Sequence, residues 1–186
     1  QQLRPAKIDD AQVESYVAQR WPTLVMTLGQ LMQQDYMKME QVRQHLPPSV
    51  VYRAVHSDRQ LQEVIVTFWR NHFSVDQNKD SVGFYTGDYE TMLRRYAFGR
   101  FDRLLLATAQ HPAMLTFLDN DVSQKPLTDS QQRLIERYES RDRKPRSVRA
   151  LARHRGLNEN YARELMELHT LGVDNYYTQQ DVVGLA

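Results

Sequence analysis

The sequence has no cysteine. Disulfides, thiolate nucleophiles and zinc sites built on thiolates are therefore excluded. No uncharged apolar run approaches the roughly 18 residues that a membrane span requires. Charge of one sign is not in excess either: 24 lysines and arginines stand against 23 aspartates and glutamates, a net charge of +1. That balance argues against a chain-wide nucleic-acid or membrane role. Sustained apolar–polar alternation with β-branched enrichment is missing, so negligible sheet is expected. There is no fixed-period repeat, and neither a thiolate-based nor a nucleotide site is expected. What is present is ordinary for a globular chain: 186 residues, 41% hydrophobic and 25% charged, enough for one domain with a real core or two small ones.

Helical spacing dominates the rest. Asp9 and Asp10 open a first helix with Val13, Tyr16 and Val17 on one face. Pro22 fits a first helical position, followed by Leu24, Val25, Leu28, Leu31 and Met32 at three-and-four spacing. Short helices are expected over about 38–45 and 49–56, separated by Pro47-Pro48. Ser57 and Gln60 form a capping-box pattern opening a strong helix over 58–73, with Leu61, Val64, Ile65, Phe68 and His72 as its inward stripe. The glycine-bearing stretch Phe84–Asp88 reads as a loop. Helices follow over about 89–98, 101–110, 112–119 and 130–139, the last with Leu134, Ile135 and Tyr138 as its stripe. The aromatics Phe68, Trp69, Phe73, Tyr96, Phe98, Phe101 and Phe117 fall at core spacing. A run rich in arginine, at about 139–156, has no interleaved aromatics and reads as a solvated basic linker. Thr178, with Asp181 three residues on, begins another helix.

The densest polar stretch is 157–182. On a wheel of 100° per residue, Leu157, Tyr161, Leu165 and Leu168 make an apolar stripe, and His169 falls inside it. Glu164 lies at its edge, while Glu159, Arg163 and Glu167 project from the opposite side at ion-pair spacing. Glu164 and Glu167 lie about 60° apart on that wheel and could share an ion. The di-iron Glu-x-x-His pattern and the His-Glu-x-x-His pattern are both absent. A metal site would therefore have to be assembled from several helices, with His72, His111, His169 and Glu164 as candidate ligands for a divalent cation. For each histidine the commoner fate is a satisfied core position. Asn158 is an N-cap candidate, and Asp119-Asn120 closes the helix that Pro112 starts.

Several stretches carry a resemblance: Asn71-His72-Phe73, His111-Pro112-Ala113-Met114-Leu115, Leu118-Asp119-Asn120, Asn158-Glu159-Asn160, Ala162-Arg163-Glu164-Leu165 and Glu167 through Val173. With Thr178-Gln179 and Asp181-Val182, they make the chain, from about Leu61 to its C-terminus, closely resemble the bacterial family called domain of unknown function 1800. Asn175 and Tyr176 stand where that family typically has two glycines. Asn175 suits a left-handed turn, whereas Tyr176 adopts one only at a cost.

The resemblance implies an exported or envelope protein, periplasmic or extracellular, and no particular reaction. It also implies that the chain is the N-terminal half of a larger protein, whose C-terminal half is the expected packing partner. The expected fold is an irregular all-α domain of about eight helices. N-terminal helices occupy 1–56 and a family core 57–186, in which the helices over 58–73, 101–119 and 158–170 bring His72, His111 and His169 together. Two functions fit. One is a metal-assisted or general acid/base hydrolase using His72, His169 and Glu164, with Arg163 orienting an acidic group and Asn71, His111, Asp119, Asn158, Glu159 and Glu167 in support. The other is a non-catalytic module in which the same polar residues form a buried network. The absence of any local catalytic spacing favours the second.

Overall fold

The computed structural model describes residues 9–27, 30–31, 36–79, 81–139, 141, 143–152, 156–173 and 176–186. Among them there are helices and turns and no strand, and no helix is long and apolar enough to cross a membrane. The chain divides into two compact units, 1–117 and 118–186. The sequence reading placed its own division at 56/57.

In the first unit, α1 (Asp10–Arg20) starts at Asp9, whose carboxylate accepts from Ala11 N. Val13 and Val17 are fully buried on it, while Tyr16 stays 43% exposed and stacks on Tyr52 at 4.3 Å between centroids. A 3-10 turn (Pro22–Val25) follows. Leu24 and Leu31 enter the core and Val25 does not; Leu28 and Met32 lie outside the described residues. The core here gathers Val17, Trp21, Leu24, Leu31, Val42 and Leu46.

Helix α2 (Tyr36–His56) is one helix, not two, and carries Pro47 and Pro48 in its interior. Each proline deletes a helical N–H and would normally break the run. Here Val42 and Leu46 are buried before the prolines and Ser49 and Arg53 after them, so packing on one side of both halves keeps the axis continuous. Ser49 Oγ donates to Leu46 O at 2.7 Å within this stretch.

Helix α3 (Gln60–Phe73) begins two residues later than the capping-box pattern implies. Ser57 Oγ donates to Asp10 Oδ1 at 2.8 Å and accepts from Arg59 N, and Gln60 Nε2 reaches back to Ser57 O. The larger correction is the direction the helix faces. Leu61, Val64 and Phe68 are 66%, 62% and 54% exposed, whereas Glu63, Val66 and Phe73 are buried.

The glycine-bearing stretch is not a loop. A 3-10 turn (Val82–Tyr85) leads directly into α4 (Thr86–Tyr96). Gly87 is needed for close approach, since a Cβ there would lie 2.7 Å from Leu24 O. Helices α5 (Phe101–Gln110) and α6 (Pro112–Phe117) complete the unit, and α6 packs against the 82–85 turn. Phe98 and Phe101 are 62% and 40% exposed, so they are not the core aromatics their spacing suggests.

The second unit opens with Asp119 in the left-handed region at φ 56° and a 3-10 turn (Asn120–Val122). Helix α7 (Asp129–Tyr138) has a full capping box between Thr128 and Gln131. Helix α8 (Arg146–Leu151) lies within the basic stretch and buries Val148. Helix α9 (Asn160–Glu164) runs into a π-helical turn (Leu165–Thr170), closed by Leu171 N donating to Met166 O. Helix α10 (Gln179–Leu185) has the Thr178–Asp181 box that the sequence predicts. Tyr176 sits at φ 59° and is 94% exposed.

Candidate functional site

Turning α3 inward on its charged side has a counterpart on α4. Arg94 donates to both oxygens of Glu63, at 2.8 and 2.5 Å. Arg70, two turns along α3 from Glu63, donates through Nε and Nη2 to Glu90 at 2.7–3.1 Å. Glu90 in turn lies 3.9 Å from Arg94. On the other side, Arg53 of α2 forms a two-pronged pair with Glu14 of α1, both bonds 2.8 Å, and Arg94 lies 3.7 Å from Glu14. Three arginines and three glutamates from α1, α2, α3 and α4 thus alternate in one continuous array.

The array is buried where it matters. The side chains of Glu63 and Glu90 are each 7% exposed, Arg53 8% and Arg94 13%. Charges this deep are tolerated only when paired with good geometry, and bidentate arginine–carboxylate pairs supply that geometry. Burial opposes ionisation of Glu14, but the hydrogen bond and charge of Arg53, with Arg94 and Arg59, outweigh it and hold the carboxyl below its usual range. Burial likewise opposes the charge on Arg94, yet its bond to Glu63 and the charges of Glu63, Glu14 and Glu90 raise its pKa above the ordinary arginine value. A cleft of about 330 Å³ opens onto the array, with Glu14, Arg53, Glu90 and Arg94 in its wall.

None of these six residues is among the sequence-derived candidates. A signal existed: Glu63 and Arg70 lie seven apart on α3, and Glu90 and Arg94 four apart on α4, so each helix carries one charge of each sign on a common face. The apolar stripe of α3 is the stronger pattern in the sequence, and it masks that signal.

The sequence-derived candidates in the first unit are placed as follows. His72 is half-buried and packs on Phe73, Trp69, Phe68 and Phe101, with centroids 5.0–6.2 Å away. Asn71 is exposed, and its carbonyl accepts from Ser74 Oγ. His111 is buried against Tyr89, at 5.0 Å. Its Nδ1 accepts from Ala113 N at 3.1 Å, which places the proton of the neutral ring on Nε2. That nitrogen lies 3.3 Å from Asp88 Oδ2, off the line of a good hydrogen bond. Burial pushes the imidazole pKa below the ordinary histidine value, and Asp88 opposes this only in part.

In the second unit, Asn158 is a clamp. Its Nδ2 donates to Asp119 O at 2.8 Å and Leu118 O at 3.3 Å, and its Oδ1 accepts from Asn160 N at the start of α9. Glu159, Arg163 and Gln179 form a closed triangle: Arg163 Nη2 donates to Glu159 at 3.1 Å and Gln179 at 2.9 Å, and Gln179 Nε2 donates to Glu159 at 2.7 Å. The Arg163–Glu167 pair expected from the wheel does not form. A π-helical turn begins at Leu165, between the two residues. Leu168, assigned to the apolar stripe, is 55% exposed, and His169 is 5% exposed. Burial, and then the charge of Glu167, raises the pKa of Glu164 above the usual carboxylate value.

Among the described residues no group of three histidine, aspartate or glutamate side chains is arranged to hold a metal ion. No curated protein and no solved structure matches this chain. One family model does, and it extends past the motifs to include the N-terminal helices that contribute Glu14 and Arg53. The chain belongs to the family described as Protein of unknown function (DUF1800), whose model matches residues 1–186.

Proposed function

We propose that this chain is a non-catalytic helical module of an exported bacterial protein, in which buried arginine–glutamate pairs fix the register of α1 to α4. The observation that carries the reading is the closed pairing of Glu14, Glu63 and Glu90 with Arg53, Arg94 and Arg70. A carboxylate locked onto a guanidinium is a poor general base, because its proton affinity is lowered when a base near neutrality is wanted. Glu14 is held in that state. Such pairs add little net stability over apolar packing, but a misregistered helix would strand a buried charge. Selection of one arrangement is the role they suit. The envelope location rests on the family resemblance.

A second reading is favoured by one observation. Glu164 has a raised pKa and immediately precedes a π-helical turn that holds the buried His169, and π turns are frequent at functional sites. In that reading Glu164 is a general acid or metal ligand alongside His169, and Arg163 orients an acidic group. Elemental analysis of the protein purified without chelator or affinity metal separates the two. The module reading expects no stoichiometric metal. A stoichiometric metal that disappears in His169→Ala would replace it with the metal-assisted enzyme.

A further inference from the structure

A cavity of about 470 Å³ lies within the first unit, between α2, the segment 75–78 and the start of α4. Its volume is in the range of small-molecule sites, about 300–1,000 Å³. Leu46, Pro47, Val50 and Val51 of α2 form one wall, with Val75 and Ala113 facing them. The cavity is braced, not collapsible. Arg43 donates to the main-chain carbonyls of Gln77 and Asn78 at 2.8 and 3.3 Å, and Lys79 Nζ donates to Phe117 O. The segment that closes the cavity is thereby tied down at its 77–79 end.

The charged pair at the polar end of the cavity is self-contained. Arg70 and Glu90 both line it, and each already satisfies the other. Asp76 Oδ1 is occupied by Asn78 N and Nδ2. An anionic head would face Glu90 and Asp76, and a cationic head would face Arg70; the charge of Asp76, bound only by the neutral amides of Asn78, sits on an exposed residue where water screens it. Gln77 lines this wall, and its Oε1 is buried without a hydrogen bond. A terminal amide turns easily about its last torsion, so Gln77 can offer that acceptor to a donor within the cavity.

We propose that this cavity binds a neutral amphiphile, with an apolar body against Leu46, Val50, Val51 and Val75 and an uncharged hydroxyl or amide head that donates to Gln77. The cavity shares Arg70 and Glu90 with the paired-charge array, but binding is read on the cavity methyl groups and the array on the coupling of Glu63 and Arg94, so either can fail alone.

The test uses the full chain and three six-carbon probes, 1-hexanol, hexanoate and hexylammonium, followed by NMR of the Val50, Val51, Val75 and Ala113 methyl groups. Saturable shifts are expected with 1-hexanol, and the two ions should bind at least about tenfold more weakly. Val51 is 62% exposed, so Val51→Trp can narrow the mouth without disturbing the core, and it should weaken 1-hexanol binding about tenfold. The proposal is overturned if these methyls show no saturable shift, if either ion binds as tightly as the alcohol, or if a folded Val51→Trp binds 1-hexanol unchanged. Should circular dichroism show Val51→Trp misfolded, the ranking of the three probes on the unsubstituted chain decides alone.

Discussion

Each unit contains an arginine four residues after a glutamate, Glu90-x-x-x-Arg94 and Glu159-x-x-x-Arg163. By spacing the two are the same surface ion pair. In the first unit Arg94 lies 3.9 Å from Glu90 and gives its hydrogen bonds to Glu63 on another helix, with 13% of its side chain exposed. In the second, Arg163 stays on Glu159 and adds Gln179, with 43% exposed. Spacing along a helix sets which partners are available. Burial sets which partner is obligatory, because a guanidinium removed from water needs a full, well-aligned acceptor and one near water does not.

The sharpest way to break this contrast is Glu63→Ala. It leaves Arg94 buried without its main acceptor and should cost the first unit about 3–5 kcal/mol. Both tryptophans, Trp21 and Trp69, lie in that unit, so urea unfolding followed by their fluorescence reports it selectively. Arg163→Ala should cost the second unit no more than about 1 kcal/mol, read from amide exchange in 158–170. Equal losses would erase the distinction.

A gain is expected at Tyr176. Its left-handed backbone strains a residue with a Cβ, so Tyr176→Gly should stabilise the second unit by about 1 kcal/mol, seen as slower amide exchange around 176–182. The outward face of α3 should respond least. Val64→Thr or Phe68→Ser should change stability by about 0.5 kcal/mol or less, although the sequence marks both as core.

Acid sharpens the same comparison. A carboxyl whose folded pKa is depressed contributes stability that is complete above its unfolded value, near 4.5 for Glu14, and is lost as pH falls through the lower folded value. Glu164 runs the other way: its raised folded pKa makes its ionised form a small liability at neutral pH, relieved as pH falls through that value. Melting curves between neutral pH and pH about 3 should therefore show Glu14→Gln flattening the acid loss of the first unit. Carboxyl NMR should show Glu167→Gln bringing the Glu164 titration partway back down.

What was legible in the sequence was local. The helical class, the α1 start at Asp9 and the Thr178–Asp181 box each depend on residues within a turn of one another. What was not legible depends on a distant partner. The inward face of α3 is chosen by Arg94 and Glu90, more than a dozen residues away, against the pull of its own apolar stripe. Pro47-Pro48 reads as a break because the burial of Val42 and Arg53 on either side is a tertiary fact. Gly83 and Gly87 read as a loop because their close approaches, to Met39 and Arg43 and to Leu24 respectively, cannot be seen from the glycines alone. At the polar cluster the wheel fails for a subtler reason. It assumes one helical pitch throughout, and the π turn after Glu164 changes it. The array of Glu14, Arg53, Glu63, Arg70, Glu90 and Arg94 escapes sequence reading for the first of these reasons: its charges come from four helices, and only the folded unit puts their signs in alternation.

The most direct test of that array is a double-mutant cycle on Glu63 and Arg94, comparing Glu63→Met, Arg94→Met and the pair by urea unfolding followed through tryptophan fluorescence. The account predicts two severe single losses and a double variant that recovers most of the stability, with a coupling of about 1.5–3 kcal/mol. Additive losses, with coupling near zero, would contradict it and reduce the pair to two charges that merely lie close together.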